Sequence, residues 1–178
     1  MSKLKPNLYV EDATKIDYKQ LEEMGIKLLC FDLDNTLDIP DRITTELIPI
    51  CEKTLELIAE TDLEILITSN NSIPNRVKSF ADLIDRPYIS KMQKPFQKKY
   101  KSSKVITKYQ PQEIMFIGDK LVTDVIGGNA FGSYTTLVDP LVSNKKHWYT
   151  HIMTVSDNFY QFLIGFKRGR YYNRLETK

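Results

Sequence analysis

The sequence is poor in cysteine, and its two cysteines are not arranged as a metal pair. Cys30 lies inside an apolar run and Cys51 lies in a predicted helix, and no CxxC motif is present. We therefore expect both thiols to be buried and to act as small hydrophobic side chains. A chain of 178 residues can bury a core without disulfides or a structural metal.

Long apolar runs and an excess of one charge are also missing. Residues 1–7 contain no stretch of signal-peptide length, and no run reaches the ~18 residues that span a bilayer. The formal net charge is +2, from 25 basic and 23 acidic residues. We expect a cytoplasmic protein, and the charge balance gives no specific indication of a nucleic-acid partner.

Two common phosphate- and calcium-binding loops are absent. The chain has no glycine-rich stretch that ends in Gly-Lys-Ser or Gly-Lys-Thr, so it has no P-loop. The run from Asp32 to Thr36 begins like a calcium-binding loop, which needs glycine at its sixth position and glutamate at its twelfth. Leu37 and Ile43 occupy those positions, which excludes this interpretation.

What the sequence does contain is a regular alternation of strand and helix patterns. Apolar segments predict strands at 27–33, 63–68, 87–90, 114–118 and 134–138. Helical patterns occupy 17–24, 44–60, 74–83, 95–109 and 121–131. This order predicts a Rossmann-like, three-layer α/β fold with a mostly parallel sheet of about five strands. We expect a single domain over 1–178, with a core at about 25–141 and a C-terminal helix and basic tail at 142–178.

Polar side chains follow four of the predicted strands. Parallel sheets bind ligands at the carboxyl ends of their strands, so we expect these side chains to lie close together at that edge of the sheet. Taken singly, each has a simpler explanation as a turn residue, a helix cap or a solvated surface charge. Their joint order favours a site, whose members are Asp32, Asp34, Ser69, Asn70, Lys94, Asp119 and Asp124.

This set of groups suits phosphate chemistry with Mg²⁺, which prefers oxygen ligands and binds through carboxylates and substrate phosphate. Clustered carboxylates repel one another unless a cation lies among them. Asp32 can attack phosphorus as a nucleophile, and Asp34 can transfer a proton to the leaving oxygen. Ser69, Asn70 and Lys94 would bind the phosphate, with Lys94 offsetting its charge.

Four motifs resemble those of the haloacid-dehalogenase-like (HAD) phosphatases. Residues 31–37 are similar to the first motif, DxDx[T/V], and Ser69-Asn70 is similar to the second. Lys94-Pro95 resembles the third motif, and residues 118–124 resemble the fourth, GDxxxxD. The resemblance implies a HAD-like phosphatase fold.

The same resemblance assigns roles to the aspartates. It implies that Asp32 is the nucleophile and Asp34 the acid/base. It also implies that Mg²⁺ is held by Asp32, by the backbone carbonyl of Asp34 and by Asp119, with Asp124 in support.

From residue 4 to about 141 the chain resembles the bacterial YqeG-type family of subclass IIIA. The segments that carry this likeness include Leu4-Lys-Pro6, Ser69-Asn-Asn71, Lys94-Pro-Phe96 and Gly127-Gly-Asn129. Residues 150–165 lack the Asn-Arg and Glu-Arg pairs typical of the final helix in that family. The role of that helix therefore does not carry over.

The sequence leaves no room for a cap domain. The stretches 37–63 and 71–94 are each too short for one, so the site should be open or covered by another subunit. An open site suits a phosphate on a large carrier such as a lipid, a protein or a nucleic-acid end. The YqeG-type resemblance points to phosphatidylglycerophosphate.

The C-terminal segment 159–172 mixes aromatic and basic residues. Such a segment can lie in a membrane interface, and it can equally be a final helix packed on the sheet with a solvated basic end. The second interpretation is favoured, and the first would make the protein peripheral to the membrane.

Two other functions remain open from the sequence. A signalling receiver domain combines a similar fold with acidic residues, a hydroxyl and a lysine, although its phosphorylated aspartate follows the third strand. A non-catalytic binding protein could retain the whole site and act by association. Turnover of a generic aryl phosphate would separate these functions from a phosphatase.

Overall fold

A computed structural model shows a mostly parallel β-sheet with helices on both faces. The structure describes residues 4–40, 43–71, 73, 75–142 and 148–175, and for 148–154 it describes the backbone alone. The strands in these residues are β1 (Leu8–Val10), β2 (Leu28–Asp32), β3 (Glu64–Thr68), β4 (Tyr88–Ile89), β5 (Ile114–Gly118), β6 (Tyr134–Val138) and β7 (Tyr172–Asn173).

The helices alternate with these strands. They are α1 (Tyr18–Glu23), α2 (Pro49–Ile58), α3 (Arg76–Leu83), α4 (Lys98–Ser102), α5 (Gly127–Phe131) and α6 (Trp148–Leu163). Single 3₁₀ turns occur at Ala13–Lys15, Ile106–Lys108 and Pro111–Glu113. A π-helical turn, Leu121–Ile126, leads directly into α5.

The strand order in the sheet is β4-β3-β2-β5-β6-β1-β7, and all neighbours are parallel except β1 and β7. The alternation of side chains along β2 explains its continuous apolar sequence. Leu29 and Phe31 pack into the cluster built by α1, α2 and α3, whereas Leu28 and Cys30 pack against Tyr100 of α4. Both faces of the strand are therefore buried, as expected of a central parallel strand.

The predicted fold class is confirmed, and the predicted strand count is too low. All five predicted strands are present, and 114–118 and 134–138 have the predicted bounds. The two additional strands, β1 and β7, have three and two residues, too few to show a periodicity. Both lie outside the predicted core, so the sheet extends beyond 25–141 at both ends of the chain.

Two predicted helices were wrong in extent. The predicted helix 44–60 begins at Pro49, which occupies the first helical turn, while Thr44 lies buried in a loop. The predicted helix 95–109 is divided into α4 and a 3₁₀ turn, because Ser103 adopts an extended backbone between them. The Ser103 hydroxyl and carbonyl accept hydrogen bonds from Ile106 and Thr107 instead.

The other helix predictions differ less from the structure. Helix 17–24 is present as α1, with Asp17 as its N-cap. Helix 121–131 is present, but its first half is π-helical. In the predicted helix 74–83, Pro74 lies outside the described residues and α3 begins at Arg76.

The two positions at which a cap domain would be inserted hold little structure. Among the described residues, α2 is the helix between β2 and β3, and α3 with β4 lies between β3 and Lys94. The expectation that no cap is present agrees with this arrangement.

Helix α6 has one packed side and one exposed side. Tyr160, Ile164 and the buried Phe166 just beyond the helix pack with Tyr9 of β1. Large apolar side chains on the other side are mostly exposed: Val155, Phe159, Phe162 and Leu163. In the described part of the chain, no helix is both long and apolar enough to cross a membrane.

Candidate active site

Three carboxylates meet at the carboxyl ends of β2 and β5. Asp32 is the last residue of β2, Asp119 follows β5 directly, and Asp124 lies on the π-helical turn. All three are buried, and one carboxylate oxygen from each lies within 4.8 Å of the others. The expected convergence of Asp32, Asp119 and Asp124 is thus present in the structure.

Lys94 lies in the middle of this group and is only 5% exposed. Its Nζ donates hydrogen bonds to Oδ1 of Asp32 at 2.5 Å and to Oδ1 of Asp124 at 2.7 Å. It also donates to the backbone carbonyl of Thr68 at 3.3 Å. A solvated surface lysine would make none of these contacts, so this alternative for Lys94 is wrong.

Lys120 is a second cation at the site, and the sequence analysis did not single it out. Its Nζ contacts both carboxylate oxygens of Asp119, at 2.9 and 3.1 Å. Its position directly after Asp119, inside the Gly-Asp-Lys run, is the sequence feature that could have identified it. Within the described part of the site, three carboxylates thus lie beside two ammonium groups.

Burial governs the protonation of these groups. Removal from water raises the pKa of Asp32 from its ordinary 3.8 to about 7, although the nearby Lys94 opposes the shift. Burial also raises the pKa of Asp119, against the effect of Lys120. Desolvation alone would lower the pKa of Lys94, but Asp124 and Asp32 outweigh it and raise that pKa. Burial would likewise lower the pKa of Lys120, but Asp119 and Asp32 outweigh it and raise that pKa. Both lysines are therefore charged, and a further cation would favour the ionised form of the carboxylates.

Ser69 and Asn70 lie beside this cluster. The Ser69 hydroxyl is buried and accepts a hydrogen bond from the backbone N–H of Asn71 at 3.0 Å. The Asn70 side chain accepts from the Lys94 backbone N–H at 2.8 Å and donates to the Lys94 carbonyl at 3.0 Å. Asn70 thus holds the backbone of Lys94 in place, while phosphate binding by Ser69 and Asn70 stays a prediction.

The Asp34 side chain is not a member of the buried group of three carboxylates. Its two oxygens accept hydrogen bonds from Nη2 of Arg76 and from Nδ2 of Asn71, each at 2.9 Å. Arg76 was missed by sequence reasoning, because an arginine in a helical pattern is usually solvated. The proposed metal contact of Asp34 through its backbone carbonyl stays a prediction.

The C-terminal tail also reaches the site. Nη2 of Arg168 donates to the backbone carbonyl of Asp119 at 2.6 Å, and Nη1 donates to Oδ1 of Asp139 at 2.9 Å. Asp157 of α6 accepts from the backbone N–H of Val122, in the turn that carries Asp124. The segment after 142 therefore holds the loop that follows β5, a role that no sequence pattern indicated.

The donor set fits a hard divalent cation. Carboxylate oxygens are the ligands that Mg²⁺ prefers, and three of them lie close enough together to share one ion. The raised pKa values of Asp32 and Asp119 indicate that ionised carboxylates are disfavoured in the cluster as it stands, and an added cation would favour them.

Known proteins resemble this chain over most of its length. Residues 1–143 match the family described as mitochondrial PGP phosphatase. The chain is 34% identical over 139 residues to the probable phosphatase YqeG of Bacillus subtilis, which covers 78% of this chain and 79% of that protein. The family match ends at residue 143, near the start of the C-terminal segment.

One solved structure shares the general fold of this chain. A crystal structure of an uncharacterised protein from Listeria monocytogenes has a TM-score of 0.55 at 18% identity and covers 69% of this chain and 84% of that one. A p-nitrophenyl phosphatase from Archaeoglobus fulgidus covers 82% of this chain and 67% of its own, at 13% identity and a TM-score of 0.28.

Proposed function

Because the chain belongs to the phosphatase family described as mitochondrial PGP phosphatase, within the HAD superfamily, we propose that it hydrolyses a phosphomonoester through an aspartyl-phosphate on Asp32. The observation that carries the proposal is the buried contact of Lys94 with both Asp32 and Asp124. It fixes a carboxylate nucleophile beside a cation where a phosphoryl group would gain charge.

In the first step an oxygen of Asp32 attacks phosphorus, and a P–O bond to the carboxylate forms as the ester P–O bond breaks. Asp34 gives its proton to the leaving oxygen, which departs as an alcohol. In the second step water attacks the phosphorus and loses a proton to Asp34. Phosphate leaves, and the Asp32 carboxylate and the Asp34 proton are both restored.

The proposed cofactor is Mg²⁺, held by Asp32, Asp119 and Asp124 and, as the family resemblance implies, by the backbone carbonyl of Asp34. A bound Mg²⁺ would neutralise charge on the phosphoryl oxygens. Lys94 supplies the second cation, and the proposal assigns phosphate oxygens to Ser69 and Asn70 as well.

The proposed substrate is a phosphate on a large carrier, with phosphatidylglycerophosphate as the specific candidate. The family description supports this choice. The small number of elements at both cap positions, α2 at one and α3 with β4 at the other, supports it as well. Without a cap, few protein groups can surround a small leaving group, so binding energy must come from the surface around the site.

The exposed side of α6 supports a membrane-bound substrate. Phe159, Phe162 and Leu163 are 61%, 82% and 61% exposed, and the exposed Lys167 and Arg170 follow them. Apolar side chains beside cations are suited to an anionic lipid surface. We therefore place the enzyme in the cytoplasm, peripheral to the membrane, a location that fractionation of cells would test.

Turnover and trapping test the mechanism. We expect Mg²⁺-dependent release of phosphate from p-nitrophenyl phosphate and from phosphatidylglycerophosphate in vesicles. Rapid quenching should yield an acid-stable, hydroxylamine-sensitive phosphoprotein that Asp32→Asn does not form. Absence of turnover on every phosphate tested would favour the non-catalytic binding protein instead. Turnover without any phosphoprotein would refute the covalent step alone.

A further inference from the structure

Arg76 lies in the first turn of α3 and is fully buried. Its guanidinium donates four hydrogen bonds, two from Nη1 and two from Nη2. Nη1 donates to Oδ2 of Asp38 at 2.8 Å and to the Thr44 hydroxyl at 2.6 Å. Nη2 donates to Oδ1 of Asp34 at 2.9 Å and to the carbonyl of Ile39 at 2.9 Å. The guanidinium therefore joins α3 to the loop that follows β2.

The two arms of this contact differ in their surroundings. The Asp38 side chain is 1% exposed and also accepts a hydrogen bond from Thr44, so the Nη1 arm is a closed, buried network. The Asp34 side chain is 20% exposed, so the Nη2 arm reaches out to a carboxylate at the open edge of the site. A buried arginine needs only one carboxylate to balance its charge, and Asp38 already provides it.

Both oxygens of Asp34 are held from the segment after β3. Arg76 holds Oδ1, and Asn71 holds Oδ2 with an amide N–H at 2.9 Å. Two donors on two oxygens fix the plane of a carboxylate, whereas one would leave it free to rotate. The planar fork of arginine is suited to this task because its donors point in fixed directions.

We propose that Arg76 is a positioning residue that orients the Asp34 carboxyl toward the leaving oxygen of the substrate. The inference rests on the proposed function, in which Asp34 gives its proton to that oxygen as the P–O bond breaks. The described hydrogen bonds of Arg76 reach the side chain of Asp34 and not its backbone carbonyl, and they include none to Asp32, Asp119 or Asp124. The effect of Arg76 on kcat/KM comes through the first step, in which Asp34 acts as the acid, whereas the second step, in which Asp34 takes a proton from water, affects kcat alone.

The dependence on the leaving group separates this role from a structural one. p-Nitrophenolate is a stable anion and leaves with little protonation, whereas an alkoxide needs a proton. In Arg76→Lys the positive charge remains but the fork is lost. We expect kcat/KM for an alkyl phosphate to fall about 30-fold or more, a large part of a general acid's contribution. The loss for p-nitrophenyl phosphate should stay below about threefold.

The control is Thr44→Val, which removes a hydroxyl shared by the Nη1 arm and leaves the contact with Asp34. It should lower the melting temperature without changing the ratio of alkyl to aryl activity. Asp34→Asn provides the reference for complete loss of the acid. Equal losses on both substrates in Arg76→Lys, or a changed ratio in Thr44→Val, would overturn the proposal.

If Arg76→Lys does not fold, Asn71→Ala decides the question, because it releases the other Asp34 oxygen from a less buried position. We expect it to reduce alkyl activity selectively, and an unchanged ratio there would refute the positioning of Asp34. The wild-type enzyme serves as the check on the proposed function. Its inactivity toward both phosphates would refute that function, whereas activity with unchanged ratios would refute the Arg76 role alone.

Discussion

Two opposing effects act on the pKa of the Asp32 carboxyl group. Burial disfavours its charge and raises its pKa to about 7, while the Lys94 ammonium 2.5 Å away favours its charge. A nucleophilic carboxylate must be ionised, so Lys94 supports the reactive form. In the proposed mechanism, Asp32 would therefore react as an ionised carboxylate at a position from which water is largely excluded.

Replacing Asp32 with asparagine should abolish turnover and keep the fold. An amide cannot attack phosphorus, so we expect kcat to fall roughly 10³-fold or more. Because burial already disfavours the charge of Asp32, the folded state should tolerate the amide. Phosphate release and thermal melting would measure both effects, with Asp82→Asn on the exposed side of α3 as the control. More than about a tenth of wild-type activity would refute the nucleophile assignment.

Gly118 is a residue at which the absence of a side chain matters for the site. A Cβ there would lie 2.4 Å from the carboxyl carbon of Asp124, well inside van der Waals contact. In Gly118→Ala we therefore expect Asp124 to move away from Lys94, with a loss of turnover of about 100-fold and little stabilisation by Mg²⁺.

Gly128→Ala is the matched control for this change. Its Cβ would meet Thr135 and Phe116 in the core, at 2.5 and 3.1 Å, so it should destabilise the fold by about 1–3 kcal/mol. It should nevertheless keep its stabilisation by Mg²⁺. Similar responses of the two variants to Mg²⁺ would contradict a specific role for Gly118.

The ends of β2 and β5 bury carboxylates from distant parts of the chain, and this burial makes the folded state sensitive to pH. Between about pH 4 and 7 the folded protein keeps a proton on Asp32 that the unfolded chain releases, because the pKa is raised from 3.8 to about 7. Proton uptake favours the folded state at low pH, so the free energy of unfolding falls as the pH rises through this window. Asp119 shifts in the same direction and adds to the effect.

Mg²⁺ should reverse this loss, since it binds the ionised carboxylates. At about 100 times its dissociation constant it adds about 2.7 kcal/mol, which raises the melting temperature by about 5–10 °C for a chain of this size. We expect the difference between Mg²⁺ and EDTA to be larger at pH 7 than at pH 5. Melting curves at both values measure it, and coincident curves with Mg²⁺ and EDTA at pH 7 would count against a preformed site.

The molecule as a whole presents an exposed apolar side of α6 and a candidate active site whose two cap positions hold little structure among the described residues. We expect the double variant Phe159→Ser, Phe162→Ser to lose about tenfold or more in binding to vesicles that contain anionic lipid, since burying one phenylalanine contributes about 1.5–3 kcal/mol. Turnover of soluble p-nitrophenyl phosphate should be unchanged. The control is Leu83→Ser, which removes an exposed apolar side chain from α3.

A preference for a lipid-borne phosphate over a free one should also appear in the turnover kinetics. We expect kcat/KM for phosphatidylglycerophosphate in vesicles to exceed that for free sugar phosphates, because a large substrate contacts more of the surface around an open site. The value of kcat/KM for a phosphopeptide would distinguish a general preference for large substrates from a specific preference for lipid. A tenfold advantage for any free sugar phosphate would refute the argument from the missing cap.

The sequence by itself determined the sheet and most of the candidate site. Apolar segments place five strands, of which all but the short β4 are largely buried. Polar residues at the strand ends identify Asp32, Lys94, Asp119 and Asp124. These features are local, since a strand and the side chains that follow it are read from neighbouring residues. The edge strands β1 and β7 carry too few residues for such a pattern, and their pairing exists only once the sheet has formed.

Tertiary structure alone decided which charges are buried and what they contact. Arg76 meets Asp34 from 42 positions along the chain, and Arg168 meets the carbonyl of Asp119 from 49 positions. From the sequence alone, each arginine would be predicted to be a solvated cation. The burial of a charge depends on partners that only the folded chain supplies. The contact of Arg76 with Asp34 and the contact of the C-terminal Arg168 with the loop after β5 therefore became visible only in three dimensions.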